Sequence, residues 1–177
     1  MEKKVDAKIA METRAVHSAD RKRGPGAIPV TTPIFTAASY IYEDVAQLDR
    51  VFAREEPGES YQRYSNPTNR ALEELLADLD SGAGALATSS GMSALQAAIH
   101  VGLADRNRSI VAAESLYGAT VHILMDIFEP QGVSVHFVDF CDRAKLCQAI
   151  DRHKPGVLVM ETVSNPLLRV ADLDEVA

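Results

Sequence analysis

The chain has 177 residues, of which 46% are hydrophobic and 24% are charged, a balance typical of folded globular proteins and unlike that of disordered chains. Acidic residues outnumber basic ones by 25 to 18, and the net charge of −7 disfavours nucleic acid as a partner. No apolar stretch approaches the roughly 20 residues that cross a bilayer, and the two cysteines, Cys141 and Cys147, are too few for a disulfide framework. The sequence therefore predicts a cytoplasmic protein that is neither secreted nor inserted in a membrane.

Residues 1–60 contain few long periodic runs of apolar residues. The glycines and proline of Gly24–Gly26, followed by Pro29 and Pro33, would interrupt any regular element there. Apolar residues recur at helical spacing over Asp44–Ala53, which predicts one short amphipathic helix. We therefore predict an N-terminal arm with a short helix over this part of the chain.

Residues 61–177 show a regular alternation of helical and strand patterns. Asn66 suits the cap of a helix and Pro67 its first position, and a leucine stripe then runs to Leu79. Apolar runs typical of strands and stretches of helical pattern follow in alternation. The strand runs are Ala85–Thr88, Ile110–Ala113, Val133–Val138 and Val157–Met160, and the helical patterns cover Met92–Val101, Thr120–Phe128 and Arg143–Arg152. This order predicts an α/β domain with a mixed or mainly parallel sheet, which binds ligands at the carboxyl ends of its strands.

The alternation is unfinished at the end of the sequence. Val170–Ala177 has the acidic start of a further helix, and the chain stops within it. We therefore expect the domain over residues 61–177 to be truncated.

Two motifs combine features that suit an anion. Thr88–Ser93 joins hydroxyl groups and a glycine at a predicted helix start, where free amides favour phosphate, although a serine-capped helix with a glycine turn explains it equally well. Tyr61–Thr68 places Arg63 beside two tyrosines, and an arginine fork suits phosphate. Without a second clue, a surface loop leading into a capped helix is the better interpretation of this second motif.

Two further motifs follow predicted strands. In Glu114–Thr120, the ring of Tyr117 is placed either to stack on a planar cofactor or to cover the edge of the core. In Glu161–Pro166, Asn165 is placed either to bind a ring substituent or to serve ordinary turn chemistry. The five histidines show no pair at metal-ligand spacing, so we expect no metal site.

Taken in order, these motifs resemble one family. They read Tyr-x-Arg-x-x-Asn-Pro-Thr at Tyr61–Thr68, Ser-Ser-Gly-Met at Ser89–Met92, Leu-Tyr-Gly at Leu116–Gly118 and Glu-Thr-x-Ser-Asn-Pro at Glu161–Pro166. The family is the cysteine and methionine metabolism group of pyridoxal 5'-phosphate (PLP) enzymes, which includes cystathionine gamma-synthase, cystathionine gamma-lyase, methionine gamma-lyase and O-acetylhomoserine sulfhydrylase. Glu12–His17 and Pro29–Ile34 resemble its N-terminal arm, so the likeness covers nearly the whole chain. It implies the large domain of fold-type I PLP enzymes, which is similar to that of aspartate aminotransferase, here incomplete.

The resemblance implies which residues contact the PLP phosphate. Ser90, Gly91 and Met92 correspond to the loop whose amides hold the phosphate within a subunit. Tyr61 and Arg63 correspond to a pair that reaches across a dimer interface to the phosphate of the neighbouring subunit. The family therefore implies a homo-oligomer, a dimer of dimers, with an active site shared between subunits.

The resemblance also implies contacts to the cofactor ring. Tyr117 matches the aromatic residue that stacks on the pyridine ring and contacts the substrate, and Asn165 matches a residue near the phenolic oxygen. The Schiff-base lysine of the family lies beyond these motifs, and neither Lys145 nor Lys154 stands in a matching context. We therefore expect that this chain by itself is not an active enzyme.

The implied reaction of the complete protein is elimination or replacement at the gamma carbon of cystathionine, methionine or an O-acylated homoserine. Elimination at the beta carbon is the nearest alternative within the family. A non-catalytic fragment that binds PLP or phosphate, or that dimerises, is a second hypothesis. An unrelated α/β enzyme that binds phosphate is a third.

Overall fold

The structure is a computed structural model that describes residues 10–17 and 29–176. Contacts divide the chain into two compact units, residues 1–87 and residues 88–177. The segment Gly24–Gly26, predicted to interrupt regular structure, lies outside the described residues. Within the described ranges, no helix combines the length and the apolarity that crossing a membrane requires. The predicted arm over residues 1–60 and domain over residues 61–177 stay proposals about domain organisation.

The described helices of the first unit are α1 (Met11–His17), α2 (Val45–Phe52) and α3 (Pro67–Leu79). Helix α1 lies within the predicted arm and was not predicted from the sequence. The guanidinium Nε of Arg14 in α1 donates to Oδ2 of Asp78 in α3 at 2.9 Å, so an interaction distant in sequence supports this short helix. The sequence prediction of the other two helices is confirmed. Both helices begin at capping residues that are their direct neighbours in the sequence, which makes them predictable from local patterns.

Asn66 explains how the start of α3 is fixed. Its buried side chain accepts from the N–H of Thr68 at 2.9 Å and donates to the carbonyl oxygen of Phe35 at 3.1 Å. The hydroxyl oxygen of Thr68 in turn accepts from the N–H of Phe35 at 2.9 Å. The extended segment around Phe35 is thereby tied to the first turn of α3, at the end of the Tyr61–Thr68 motif.

The second unit contains a parallel sheet of three strands. The strands are β1 (Ser109–Ala113), β2 (Ser134–Val138) and β3 (Val157–Val159), in the order β2-β1-β3. All five residues of β1 are buried. The described helices are α4 (Gly91–Leu103), α5 (Gly118–His122), α6 (Arg143–His153) and α7 (Leu173–Val176), and α5 continues into a π-helical turn over Ile123–Phe128 and a 3₁₀ turn over Glu129–Gln131. The predicted parallel α/β arrangement is confirmed for this unit.

The strand predicted over Ala85–Thr88 is wrong. The segment is not part of the sheet, and Leu86 is 76% exposed. A strand needs a neighbour for its backbone N–H and C=O groups, and none of the described residues pairs with this segment. The apolar pattern indicates an extended chain but contains no information about a partner strand.

The direction of α4 brings the motifs of the second unit to one edge of the sheet. A short connection leads from the end of α4 to β1, so α4 runs opposite to the strands and begins at their carboxyl ends. Gly102 permits close packing of α4 on the sheet, since a Cβ there would lie 2.7 Å from Cγ2 of Val157. The segments that follow β1 and β3 lie at the same edge as the start of α4.

Gly156 provides a test of the packing just before β3. Its N–H donates to the carbonyl oxygen of Ser109 at 2.9 Å, and a Cβ at this position would overlap the carbonyl oxygen of Asn107. In the complete protein, we expect Gly156→Ala to lower the free energy of unfolding by about 1–3 kcal/mol, measured as a lower urea midpoint. Gly118→Ala is the matched control, because a Cβ there meets open space. Equal midpoints for the two variants would contradict this expectation.

Candidate functional site

The first turn of α4 presents two free amides. The hydroxyl oxygen of Ser90 caps the helix by accepting from the N–H of Ser93 at 3.1 Å, and the hydroxyl of Thr88 donates to the carbonyl oxygen of Ser90 at 2.8 Å. Among the described residues, no acceptor meets the N–H groups of Gly91 and Met92. Gly91 is exposed, and a Cβ added there would meet open space. An anion therefore has unobstructed access to these amides at the positive end of the helix dipole.

Tyr117 follows β1 and begins α5. Its side chain is 50% exposed, whereas the preceding Leu116 is 7% exposed and belongs to the core. The N–H of Tyr117 donates to Oε1 of Glu161 at 2.8 Å. Leu116 therefore fills the core position, and the ring of Tyr117 remains available to a ligand at the carboxyl-end edge.

The Glu161–Pro166 motif follows β3 and forms a closed turn. The buried Ser164 makes two bonds with Arg169: its N–H donates to the carbonyl oxygen of Arg169, and its hydroxyl oxygen accepts from the N–H of Arg169, both at 2.9 Å. The N–H of the exposed Asn165 donates to Oε2 of Glu161 at 3.1 Å. These bonds fix the backbone of Asn165 and leave its side chain at the surface.

An ion pair joins this turn to the end of β2. The guanidinium of Arg169 donates to Oδ1 and Oδ2 of Asp139 at 2.7 and 2.8 Å. The hydrogen bond from Arg169 lowers the pKa of the Asp139 carboxyl, and the same bond raises the pKa of Arg169. The pair is therefore charged at neutral pH. No pattern in the sequence connects these residues, which lie 30 positions apart.

In the first unit, Arg63 lies between two tyrosine rings. Its guanidinium carbon is 5.1 Å from the ring centroid of Tyr61 and 5.6 Å from that of Tyr64, within the range of cation–π attraction. Among the described residues, Arg63 has no carboxylate partner, whereas the nearby Arg70 pairs with Glu59. The rings orient the guanidinium while its N–H groups stay available for an anion.

The backbone around Tyr61 is held by the segment that precedes it in the same unit. Tyr61 forms an antiparallel bridge with Ser39, and the N–H of Gln62 donates to the carbonyl oxygen of Ala38 at 2.9 Å. The tyrosine and Arg63 thus lie on an ordered segment. Within residues 10–17 and 29–176, no cluster of three or more histidine, cysteine or acidic side chains is arranged to hold a metal ion.

The sequence model of the family described as Cys/Met metabolism PLP-dependent enzymes matches residues 12–177. The chain belongs to this family. It is 35% identical over 166 residues to the O-acetyl-L-homoserine sulfhydrylase of Leptospira meyeri, a match that covers 94% of this chain and 37% of that protein. It is 32% identical over 167 residues to the L-methionine gamma-lyase of Fusobacterium nucleatum subsp. polymorphum, covering 94% of this chain and 41% of the relative.

A solved structure of an O-acetylhomoserine (thiol)-lyase from Campylobacter jejuni superposes with a TM-score of 0.81 at 27% identity, over 95% of this chain and 41% of that one. That structure contains N'-pyridoxyl-lysine-5'-monophosphate. The chain thus corresponds to the N-terminal portion of its relatives and spans 37% and 41% of the two named above. The predicted family and fold-type I class are confirmed, and the family is PLP-dependent.

The groups present suit the chemistry of PLP. A phosphate dianion is bound well by free amides at a helix start, which Gly91 and Met92 provide. The exposed ring of Tyr117, at the same edge of the sheet, suits a flat aromatic cofactor, on which it can stack. Sequence reasoning assigned no role to Glu161, although its carboxylate contacts the backbone of both Tyr117 and Asn165.

Proposed function

We propose that the complete protein is a PLP-dependent enzyme that acts on O-acylhomoserine or a sulfur amino acid by replacement or elimination at the gamma carbon. The observation that carries this proposal is the pair of free amides of Gly91 and Met92, at the same sheet edge as the exposed ring of Tyr117, in a chain of this family. The two relatives named above are a sulfhydrylase and a gamma-lyase, and the first favours replacement as the main reaction.

In this proposal, Ser90, Gly91 and Met92 hold the PLP phosphate within the subunit. Ser90 fixes the first turn of α4, and the absence of a side chain at Gly91 lets phosphate oxygens approach the amides. Tyr117 stacks on the cofactor ring and limits its tilt, and Asn165 donates to the ring oxygen. PLP, when bound, supplies an electron sink for the negative charge that develops on the substrate carbons.

Tyr61 and Arg63 are proposed to bind the phosphate of a neighbouring subunit in a homo-oligomer, a dimer of dimers. The support is electrostatic: Arg63 is oriented by two rings and has no carboxylate partner among the described residues. A phosphate dianion from another subunit would satisfy its planar fork of donors. The Schiff-base lysine is proposed to come from a part of the complete protein outside this chain.

The test is an assay of the complete protein with PLP, O-acetylhomoserine and sulfide. We expect homocysteine and acetate as products, because sulfide forms the new carbon–sulfur bond as the acetate group leaves. Methionine alone, supplied in a parallel assay, tests elimination through release of methanethiol. Bound PLP with no product from either substrate would favour the non-catalytic alternative, and a lack of PLP binding would overturn the proposal.

A further inference from the structure

We propose that Glu161 is a positioning residue that sets the orientation of the cofactor ring by holding Tyr117 and Asn165 at a fixed separation. Oε1 of Glu161 accepts from the N–H of Tyr117 at 2.8 Å, and Oε2 accepts from the N–H of Asn165 at 3.1 Å. The inference rests on the proposed function, since the ring contacts of these two residues belong to it. The bridge itself is a property of the structure.

The bridge joins segments that follow two adjacent strands. Tyr117 follows β1 and lies 44 positions from Glu161, whereas Asn165 lies 4 positions from it and follows β3. Tyr117 begins α5 without a side-chain cap, so the carboxylate meets an amide that the helix leaves unsatisfied. Bonds from a backbone amide to a carboxylate are stronger than those between neutral groups and fix the backbone rather than a side chain.

Packing does not fix the ring of Tyr117. Its backbone is held on one side by the N–H groups of Thr120 and Val121, which donate to its carbonyl oxygen, and on the other side by the Glu161 carboxylate. Half of the Tyr117 side chain is exposed, and only the preceding Leu116 is held in the core. The turn that contains Asn165 is closed independently by the bonds of Ser164 and by the ion pair of Arg169 with Asp139. Loss of the Glu161 carboxylate should therefore leave both segments folded but free to move relative to each other.

A glutamine at this position provides a sharp test. Glu161→Gln has nearly the same shape but offers one acceptor oxygen, and its NH₂ group would face an amide donor, so one of the two bonds is lost. Glu114→Gln is the matched control, because Glu114 also follows β1 at the same edge and takes no part in the bridge. The readouts are the visible circular dichroism of bound PLP, the dissociation constant of PLP and the unfolding temperature of the apoprotein.

In the complete protein, we expect Glu161→Gln to raise the dissociation constant of PLP about tenfold and to reduce the circular dichroism band of the bound cofactor. The unfolding temperature of the apoprotein should stay close to that of the parent, and Glu114→Gln should match the parent in every readout. If the glutamine variant does not fold, Glu161→Asp, with both acceptors on a shorter stem, should show the same changes.

A purely structural role predicts the opposite pattern. A lower unfolding temperature with unchanged circular dichroism and PLP affinity in Glu161→Gln would overturn the inference. If the parent protein bound PLP normally in that experiment, the proposed function would still be supported. Failure of the parent protein to bind PLP would overturn the proposed function and this inference together.

Discussion

Gly91→Ala in the complete protein should weaken the binding of PLP by about 10- to 100-fold without harming the fold. The methyl group would enter open space at the first turn of α4, where the proposed phosphate must approach the amides of Gly91 and Met92. Displacing the phosphate from one charge-assisted hydrogen bond costs about 1.5–3 kcal/mol, which corresponds to roughly 10- to 100-fold in affinity. Alanine is the better helix former, so the unfolding temperature of the apoprotein should be unchanged or higher.

Two controls isolate the phosphate contact. Gly84→Ala also places a methyl group in open space, at an exposed position outside the proposed site, and should bind PLP like the parent. Pyridoxal, which lacks the phosphate, should bind the parent and Gly91→Ala with similar, weak affinity. If Gly91→Ala bound PLP as tightly as the parent, the phosphate would not lie against the start of α4.

Elements with local signals were predictable from the sequence. Helix α3 carries its own start signal in Asn66 and Pro67, and the buried strand β1 contains the continuous apolar run Ile110–Ala113. Two features could not be predicted from local patterns. The segment Ala85–Thr88 forms no strand because it has no partner strand among the described residues, and helix α1 is supported by the distant Asp78. Local patterns thus identified most elements but not their partners.

The candidate site shows the same division. The motif at Ser90 predicted a helix start with free amides, since a cap and a glycine are neighbours in the sequence. The contacts of Glu161 with Tyr117 and of Arg169 with Asp139 join residues 44 and 30 positions apart, and only the parallel pairing of the strands brings them together. Motif order alone therefore indicated the residues that we propose to face the ligand, whereas the groups that hold them required the fold.

Arg63→Ala should lower the proposed activity of the complete protein by about 100-fold, because it would remove the proposed charge-assisted, bidentate contact to phosphate. Arg54→Ala is the matched control, since Arg54 is an exposed arginine of the same unit that lies outside the proposed contacts. Arg63→Lys should restore little, because an ammonium group does not reproduce the planar fork that the rings of Tyr61 and Tyr64 orient.

Mixing Arg63→Ala with Tyr117→Ala, which we expect to be nearly inactive because it removes the proposed ring-stacking side chain, tests whether Arg63 serves its own subunit or its neighbour. When Arg63→Ala and Tyr117→Ala are unfolded and reassembled together in equal amounts, half of the dimers should be mixed. If Arg63 serves the neighbouring subunit as proposed, each mixed dimer has one complete site, with Tyr117 from one subunit and Arg63 from the other, and one site that lacks both. Activity should therefore recover to about a quarter of the parent value. If Arg63 contacted the phosphate of its own subunit, every site would lack one of the two side chains, and the mixture would stay as inactive as its components.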